Sequence, residues 1–337
     1  MSLIKQRALN FTRMKIFWPV LALTAILLFN FIFVPGFFQI EIKDGHLFGS
    51  LIDVLNRAAP TLIIAIGMTL VIAKEGIDIS VGSVLAIAGA VSISLLESTP
   101  LWVAILAALA VGILCGLWNG MLVSVFGIQP MVGTLILMTV GRGIAQLITE
   151  GQVLTTSNAA YGYIGKGFLF GLPFSVYVAA AVFGLVYVLK KRTALGLFLE
   201  ATGTNKISSE YAGVEPRKIY LFVYAVCGLC AAIAGLLVSS NISSADANNA
   251  GLWIELDAIL AVVIGGTSMR GGRFYLAGTV VGALFIQSLS TTIYSMGIPP
   301  ERILVVKAFV VIVVSLLQSE RFRELFQSRT KQAVAES

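Results

Sequence analysis

Ten stretches of predominantly apolar residues recur along the 337-residue chain, at about 16–34, 51–73, 79–96, 101–126, 129–149, 173–190, 218–239, 255–267, 275–295 and 302–318. A helix that crosses a bilayer needs about 20 such residues. Inside hydrocarbon every backbone N–H and C=O must be satisfied within the protein, which leaves helices as the spanning element for runs of this length. The expected fold is therefore all-α, a polytopic membrane protein of about ten transmembrane helices. Composition agrees: 58% of residues are hydrophobic and only 12% charged, with mean hydropathy +0.93. Soluble domains carry roughly 25% charged residues, so an ordinary soluble enzyme, a disordered chain and a fibrous chain are excluded. The eighth stretch opens at Glu255 and Asp257 and closes at Gly265 and Gly266. It is short, and a broken or re-entrant helix is expected there.

Charge sets the orientation. Lys and Arg number 23 against 17 Asp and Glu, a net +6. With the N terminus in the cytoplasm and ten alternating spans, Lys5, Arg7, Arg13, Lys15, Lys74, Lys190, Lys191, Arg192, Lys206, Arg217, Lys218, Arg270, Arg273, Arg321, Arg323, Arg329 and Lys331 fall inside. Only Lys43, Lys166 and Arg302 fall outside, while Arg57, Arg142 and Lys307 lie within spans. That asymmetry obeys the positive-inside rule and would be scrambled by one span more or fewer. Both termini are thus expected in the cytoplasm. The expected layout is a cytoplasmic N-terminal segment 1–15, a membrane domain 16–318 with an inside loop at about 190–217, and a cytoplasmic tail 319–337. The first span is expected to stay uncleaved, since Val34-Pro35-Gly36-Phe37 follows it rather than a small-residue cleavage site.

Small residues recur at helical spacing. Ala104, Ala108, Gly112, Gly116 and Gly120 form one stripe, Gly82, Ala86 and Ala90 a second, and Gly278 and Gly282 a third. Lipid supplies no hydrophobic drive between helices, so close backbone approach at such stripes supplies the packing; a sliding interface is the alternative reading. Gly76 to Ser83 and Gly265 to Gly272 share a turn-then-span layout, a weak sign of internal duplication. Cys115, Cys227 and Cys230 all lie in apolar runs and form no disulfide framework, and the Cys227–Cys230 spacing lacks the context of a redox motif. His46 is the only histidine, so neither a catalytic histidine nor a metal-ligand cluster is expected. No phosphate-binding G-x-x-x-x-G-K-[ST] loop occurs.

The few polar groups near spans each carry two readings. Asp53 and Arg57 are spaced for an i,i+4 ion pair, or for a gate or partner contact. Arg142, between Gly141 and Gly143, either lines a pathway or snorkels to the interface. Lys307 is expected to snorkel. Asp78 or Ser80 is expected to cap the helix that follows, with Ser83 beside them. Asn119, Gln129, Thr134 and Thr139 could hydrogen-bond a sugar or hold helices together. Asp78, Ser80, Ser83, Asn119, Thr134 and Arg142 are therefore the candidates for a translocation path.

The inside loop from Thr193 to Pro216 is expected to hold a short amphipathic helix. Ser208, Ser209 and Glu210 are its polar side, Ile207, Tyr211 and Val214 share a face, and Gly213 and Pro216 end it. Such a helix either docks in a partner's groove or lies on the bilayer.

At these residues the chain resembles the sugar permeases of bacterial ATP-binding-cassette importers, the ribose, xylose, arabinose and galactose group. Gly76 to Ser83 matches the family's G-I-D-L-S-V-G-S stretch with Ile79 for Leu, and Gly116, Asn119 and Gly120 match G-x-x-N-G. Pro130, Thr134, Leu135, Arg142 and Gly143 match P-x-x-x-T-L followed by R-G. Thr193, Gly196, Ala201, Gly203, Asn205, Gly213 and Val214 match the cytoplasmic loop, and Gly265 to Gly272 match a G-G-x-S-x-x-G-G turn. Leu197 stands where that loop usually has Arg, and Ala212 where Ser usually precedes Gly. The resemblance spans about residues 50 to 318 and is strongest to galactofuranose-type permeases.

The resemblance implies an importer of the bacterial inner membrane in which two permease subunits, identical or sister, form the pore for a monosaccharide. A cytoplasmic double-cassette ATPase would spend the ATP, leaving this chain without cofactor or catalytic residues, and a periplasmic sugar-binding protein would dock outside near Asp53, Glu150–Lys166 and Asp246–Asp257. Gly196, Glu200, Ala201, Gly203, Asn205, Ala212 and Gly213 would belong to the loop that couples to the ATPase. No nucleic-acid partner is implied. The competing expectations are an ion-coupled secondary transporter, which needs a midplane carboxylate or ion site, and an intramembrane enzyme, which needs catalytic groups within a span.

Overall fold

Among the described residues ten helices fall on the ten apolar stretches, and three shorter ones fill the loops. In the computed structural model, which describes residues 16–43 and 45–318, the helices run in chain order as follows. They are α1 (Phe17–Phe33), α2 (Ser50–Ile72), α3 (Val81–Leu96), α4 (Leu101–Ser124), α5 (Pro130–Ile148), α6 (Ala159–Lys166) and α7 (Phe174–Arg192). Then come α8 (Ala194–Thr204), α9 (Lys206–Tyr211), α10 (Pro216–Ile242), α11 (Ile254–Ile264), α12 (Leu276–Ser295) and α13 (Pro300–Gln318). The expected terminal segments 1–15 and 319–337, with their eight basic residues from Lys5 to Lys15 and Arg321 to Lys331, lie outside the described residues. Among the described residues six helices are long and apolar enough to cross a membrane: α2, α4, α5, α7, α10 and α12. Proline starts α5 and α10, where its missing N–H costs nothing.

Three short strand pairings among the described residues were not legible in the apolar pattern. The strands β1 (Glu41–Lys43) and β2 (His46–Phe48) pair, β3 (Leu154–Thr155) pairs with β6 (Ser244–Ala245), and β4 (Phe168–Leu169) pairs with β5 (Leu172–Pro173), all antiparallel. Each satisfies backbone groups of a loop where the helical ladder has stopped.

Within its apolar stretch α2 is 72% buried and α4 only 22%, so α2 lies at the axis and α4 presents side chains outward. The expected stripe on α4 is its inner face: Ala104, Ala108, Gly112, Gly116 and Gly120 are all buried. They lie against α10 at backbone distance. A Cβ on Gly116 would stand 2.2 Å from the Tyr224 carbonyl oxygen, and one on Gly228 would stand 2.2 Å from that of Gly112. The α12 stripe does the same against α11, where Gly278 and Gly282 approach the carbonyls of Gly265 and Ala261.

α11 has 11 residues, about 16 Å at 1.5 Å per residue, too short for a hydrocarbon core of about 30 Å. The short eighth segment is thus as expected. Its irregular approach has Gly251 and Trp253 both at positive φ; Ala245 and Ala247 are buried there while Leu252 and Trp253 are about half exposed.

The turns 73–80, 193–215 and 265–274 gather at one end of the bundle, tied by Gly272 N–H donating to the Ala73 carbonyl (2.9 Å). The second of the two similar stretches, Gly265 to Gly272, therefore meets the residues just before the first, at Ala73 and Glu75. At the opposite end Asn241 donates to the Gly165 carbonyl (3.0 Å) and Ser175 to Asn56 Oδ1 (2.5 Å).

Candidate functional site

Between α2 and α3 the chain leaves helical geometry for eight residues, and a polar cluster replaces the missing backbone bonds. Ser80 donates to Asp78 Oδ1 through both its N–H (3.0 Å) and its Oγ (2.6 Å). Asn119, from α4, donates to Ser80 Oγ (2.8 Å) and to Asp78 Oδ1 (3.3 Å). Thr134, in the first turns of α5, accepts from the Ile79 N–H and donates to the Ile77 carbonyl, both at 3.3 Å. Ser83 donates to the Ser80 (2.8 Å) and Leu137 (3.2 Å) carbonyls. Five of the six path candidates are thus brought together, and none is more than 1% exposed. They brace a loop in this conformation rather than line an open channel. The capping expectation is corrected for Ser80: it caps nothing with its side chain, because its Oγ is turned to Asp78 and Asn119, while Asp78 accepts its N–H in an Asx-type turn. Two polar atoms beside the cluster stay unpaired, Asn119 Oδ1 and Tyr224 Oη.

Arg142 stands apart. Its Nη1 donates to the carbonyls of Ala247 (2.9 Å) and Ala250 (2.7 Å). That contact is not snorkelling: the guanidinium holds the irregular approach to α11. Glu255, 7% exposed, lies on the same assembly, where Gly82 leaves room for it; a Cβ there would stand 2.7 Å from Glu255 Oε2. Arg142→Ala would strand two part-buried carbonyls, at up to about 1–3 kcal/mol for a lost partner. We expect lower thermal stability in detergent, with Arg142→Lys recovering only part because it lacks the planar fork.

Two further expectations are corrected. Asp53 and Arg57 make no ion pair with one another; both are exposed. Lys307 does not snorkel: it donates to both Asp257 oxygens (3.1 and 2.9 Å), an ion pair between α13 and α11. Thr139 bonds only back to its own helix at Leu135.

At the end that gathers the turns, the inside loop holds two helices where one was expected. Thr193 caps α8 by accepting the Leu195 N–H (3.3 Å), and Asn205 breaks the run and caps α9 by accepting the Ser208 N–H (3.0 Å). Gly213, at φ +85°, turns the chain toward α10. Gly203 is wedged between two other turns: a Cβ there would stand 2.0 Å from the Ala73 oxygen and 2.7 Å from the Gly272 nitrogen. Gly196 is as tight against the Lys190 carbonyl, at 2.0 Å. Lys190 pairs with Glu200 (3.3 Å), donates to the Phe274 carbonyl and covers the Phe274 ring at 3.7 Å. Ala201, Asn205, Ala212 and Gly213 remain exposed. So do Leu197, Ile207 and Tyr211, at 69%, 67% and 89%. The pair of helices is clamped to the bundle on one side and offers unpartnered apolar side chains on the other.

Beneath it lies a residue that sequence reasoning passed over. Lys74 is 1% exposed and its Nζ has no hydrogen-bond partner among the described residues. The ammonium sits 4.5 Å from the Tyr220 ring centre, while Tyr220 Oη donates to the Lys74 carbonyl (3.1 Å). Burial, and then the neighbouring Lys206, pull Lys74 down from 10.5 to about 8. The folded state therefore binds fewer protons than the unfolded chain between those values, and stability rises with pH through that window. Lys74→Met is expected to raise the Tm at pH 7, with the gain shrinking as pH rises from about 8 toward 10.5; a gain independent of pH would show that the charge is compensated.

Among the described residues no group of three or more His, Cys, Asp or Glu is placed to hold a metal ion. Residues 50–315 match the family described as the permease component of the branched-chain amino acid transport system. The chain belongs to this family. Relatives within it are named for other substrates. A galactofuranose transporter permease of Escherichia coli (strain K12) is 52% identical over 316 residues, 92% of this chain and 93% of that protein. A fructose import permease of Bifidobacterium longum (strain NCC 2705) is 41% identical over 315 residues, 91% and 88%. A ribose import permease of E. coli (strain K12) is 36% identical over 293 residues, 85% and 88%. No solved structure matches the chain. In this permease, then, the polar cluster and the clamped helices belong to a transport protein.

Proposed function

We propose that the chain is the membrane-spanning permease subunit of an ATP-driven importer of a monosaccharide, of galactofuranose type, in the bacterial inner membrane. The observation that carries this is the 52% identity to a galactofuranose transporter permease over nearly the full length of both chains. The ten apolar segments cross, the short α11 completed by the irregular segment that leads into it, and both termini lie in the cytoplasm. The end bearing Lys190, Lys191, Arg192, Arg217 and Lys218 faces inward, as the positive-inside rule requires. ATP is bound and hydrolysed by a separate double-cassette subunit, since this chain has no phosphate-binding loop.

The coupling loop spans about 190–217, with Gly196, Glu200, Ala201, Gly203, Asn205, Ala212 and Gly213. Its exposed Leu197, Ile207 and Tyr211 enter the ATPase groove. Movement there is passed through Gly203 to the 73–80 turn, and so to Asp78, Ser80, Ser83, Asn119 and Thr134, which open onto the sugar path in another state of the cycle. A second permease subunit completes the pore. The sugar-binding protein docks on the outer loops, two of which are already linked by β3–β6 pairing and by Lys166 donating to Ser243 Oγ (2.8 Å).

The test is uptake of radiolabelled galactose, ribose and fructose into proteoliposomes holding the permease, the ATPase and the binding protein. ATP-dependent accumulation that survives ionophores is expected. Accumulation by the permease alone under an ion gradient would establish the secondary-transporter reading instead.

A further inference from the structure

The two charges that fail to pair are the starting point. Asp53 and Arg57 lie one turn apart on α2, at the end proposed to face outward, and neither side chain has a hydrogen-bond or ion-pair partner among the described residues. Opposite charges at i,i+4 ordinarily find each other. Here both line a cavity of about 420 Å³ together with Asn56, Ser175 and Asn241. That size is within the roughly 300–1,000 Å³ range of small-molecule sites. Two other cavities along the bundle, one against α1 and α13 and one between α2, α7 and α12, are walled almost wholly by apolar side chains.

The polar inventory of this cavity is balanced. Asn56 spends its Oδ1 on Ser175 and keeps its amide nitrogen. Asn241 spends its Nδ2 on the Gly165 carbonyl and keeps its Oδ1. Pro60, also in the wall, has no N–H, so the Asn56 carbonyl lacks its helical donor. The cavity thus offers a carboxylate and two carbonyl oxygens as acceptors, and a guanidinium and an amide as donors. An anion is repelled by Asp53 and a cation by Arg57. An apolar molecule leaves both charges without partners.

The geometry points to a receiving site for a neutral polyol: the cavity holds a monosaccharide whose vicinal hydroxyls donate to Asp53 and accept from Arg57. This rests on the proposed function and orientation, and it adds a sugar contact within one permease subunit, separate from the Asp78 cluster. The sugar released by the binding protein pauses here before the path opens.

The experiment uses the full chain in lipid nanodiscs and saturation-transfer NMR with galactose, ribose and fructose, and with leucine as the zwitterionic control. A transfer signal from at least one sugar is expected. Asp53→Asn and Arg57→Gln should each weaken it roughly tenfold or more, the scale of a lost charged hydrogen bond. Glu97→Gln, at an exposed carboxylate of the same end, should leave it unchanged. Equal membrane abundance and Tm exclude misfolding as the cause, and Asn241→Ala, which removes no charge, gives an independent loss. No sugar signal from the wild type, signals that survive all three cavity variants, or a stronger signal from leucine would each overturn the assignment. Uptake by the complete importer separates the two readings. If wild-type import is ATP-driven but the cavity variants import normally at subsaturating sugar, the receiving site is wrong and the proposed function stands. If the complete importer takes up no sugar, the proposed function itself is wrong.

Discussion

Gly203→Ala is expected to insert normally and to lose most ATP-driven uptake. The position shows why one methyl group suffices. Its Cβ would arrive 2.0 Å from the Ala73 oxygen and 2.7 Å from the Gly272 nitrogen. Both are backbone atoms already hydrogen-bonded to each other, so neither can swing aside as a side chain would. The α8–α9 unit must lift from its seat, at a cost of about 1–3 kcal/mol for overpacking. By the usual conversion of 1.4 kcal/mol per decade this is roughly 5- to 100-fold in the population of the seated state. Membrane insertion is insensitive to it, because Gly203 lies outside the spanning helices. Gly213→Ala is the matched control. No atom lies within 4 Å of that Cβ, and only the φ of +85° opposes it, a penalty of about 1–2 kcal/mol confined to one turn. Uptake within a few-fold of wild type is expected there. The measurement is initial ATP-dependent sugar uptake normalised to permease in the membrane. Equal uptake by both variants would remove Gly203 from the coupling route.

How far the sequence discloses the structure depends on the range of the force involved. The α4 stripe was legible because its cause is local: a face that must meet a neighbouring backbone cannot carry bulk, and Ala104 to Gly120 show that at one glance along a helix. The short eighth segment was legible because Glu255, Asp257 and the glycine pair bound it. Partners were not legible. Lys307 finds Asp257 fifty residues away, and Arg142 finds carbonyls more than a hundred residues on. No periodicity encodes such pairings. The loop gave one helix on paper and two in the structure because Asn205 serves as both stop and cap, a role that depends on its side chain turning to the Ser208 N–H. Asp78, Ser80, Asn119 and Thr134 were singled out one by one as polar residues near spans. Their common place in one cluster appeared only when α4 and α5 closed on the 73–80 turn.

Lys307→Met is expected to cost the permease more stability than any other single charge change outside the coupling loop. α13 is weakly anchored: Val305 and Phe309 are about 70% exposed, and apolar contact with lipid does not fix a helix against its neighbours. The Lys307–Asp257 pair does fix it, with side chains 12% and 26% exposed. Removing the ammonium leaves the carboxylate of Asp257 without its partner at the start of α11, where Glu255 already adds a second acid. Breaking one side of a fully buried pair costs about 3–5 kcal/mol and of an exposed one at most about 1 kcal/mol; this part-buried pair falls between, at about 2–3 kcal/mol. For a chain of this size that corresponds to a fall in Tm of roughly 3–4 °C in detergent. Asp257→Asn should cost a comparable amount by stranding the lysine. The double variant Lys307→Met/Asp257→Asn removes both charges, so it should recover most of the loss and be more stable than either single variant. That recovery distinguishes a pair from two independent surface charges. If the two losses simply add, α13 is held by Ile303 and Val311 in their apolar cluster and the ion pair contributes little to the packing.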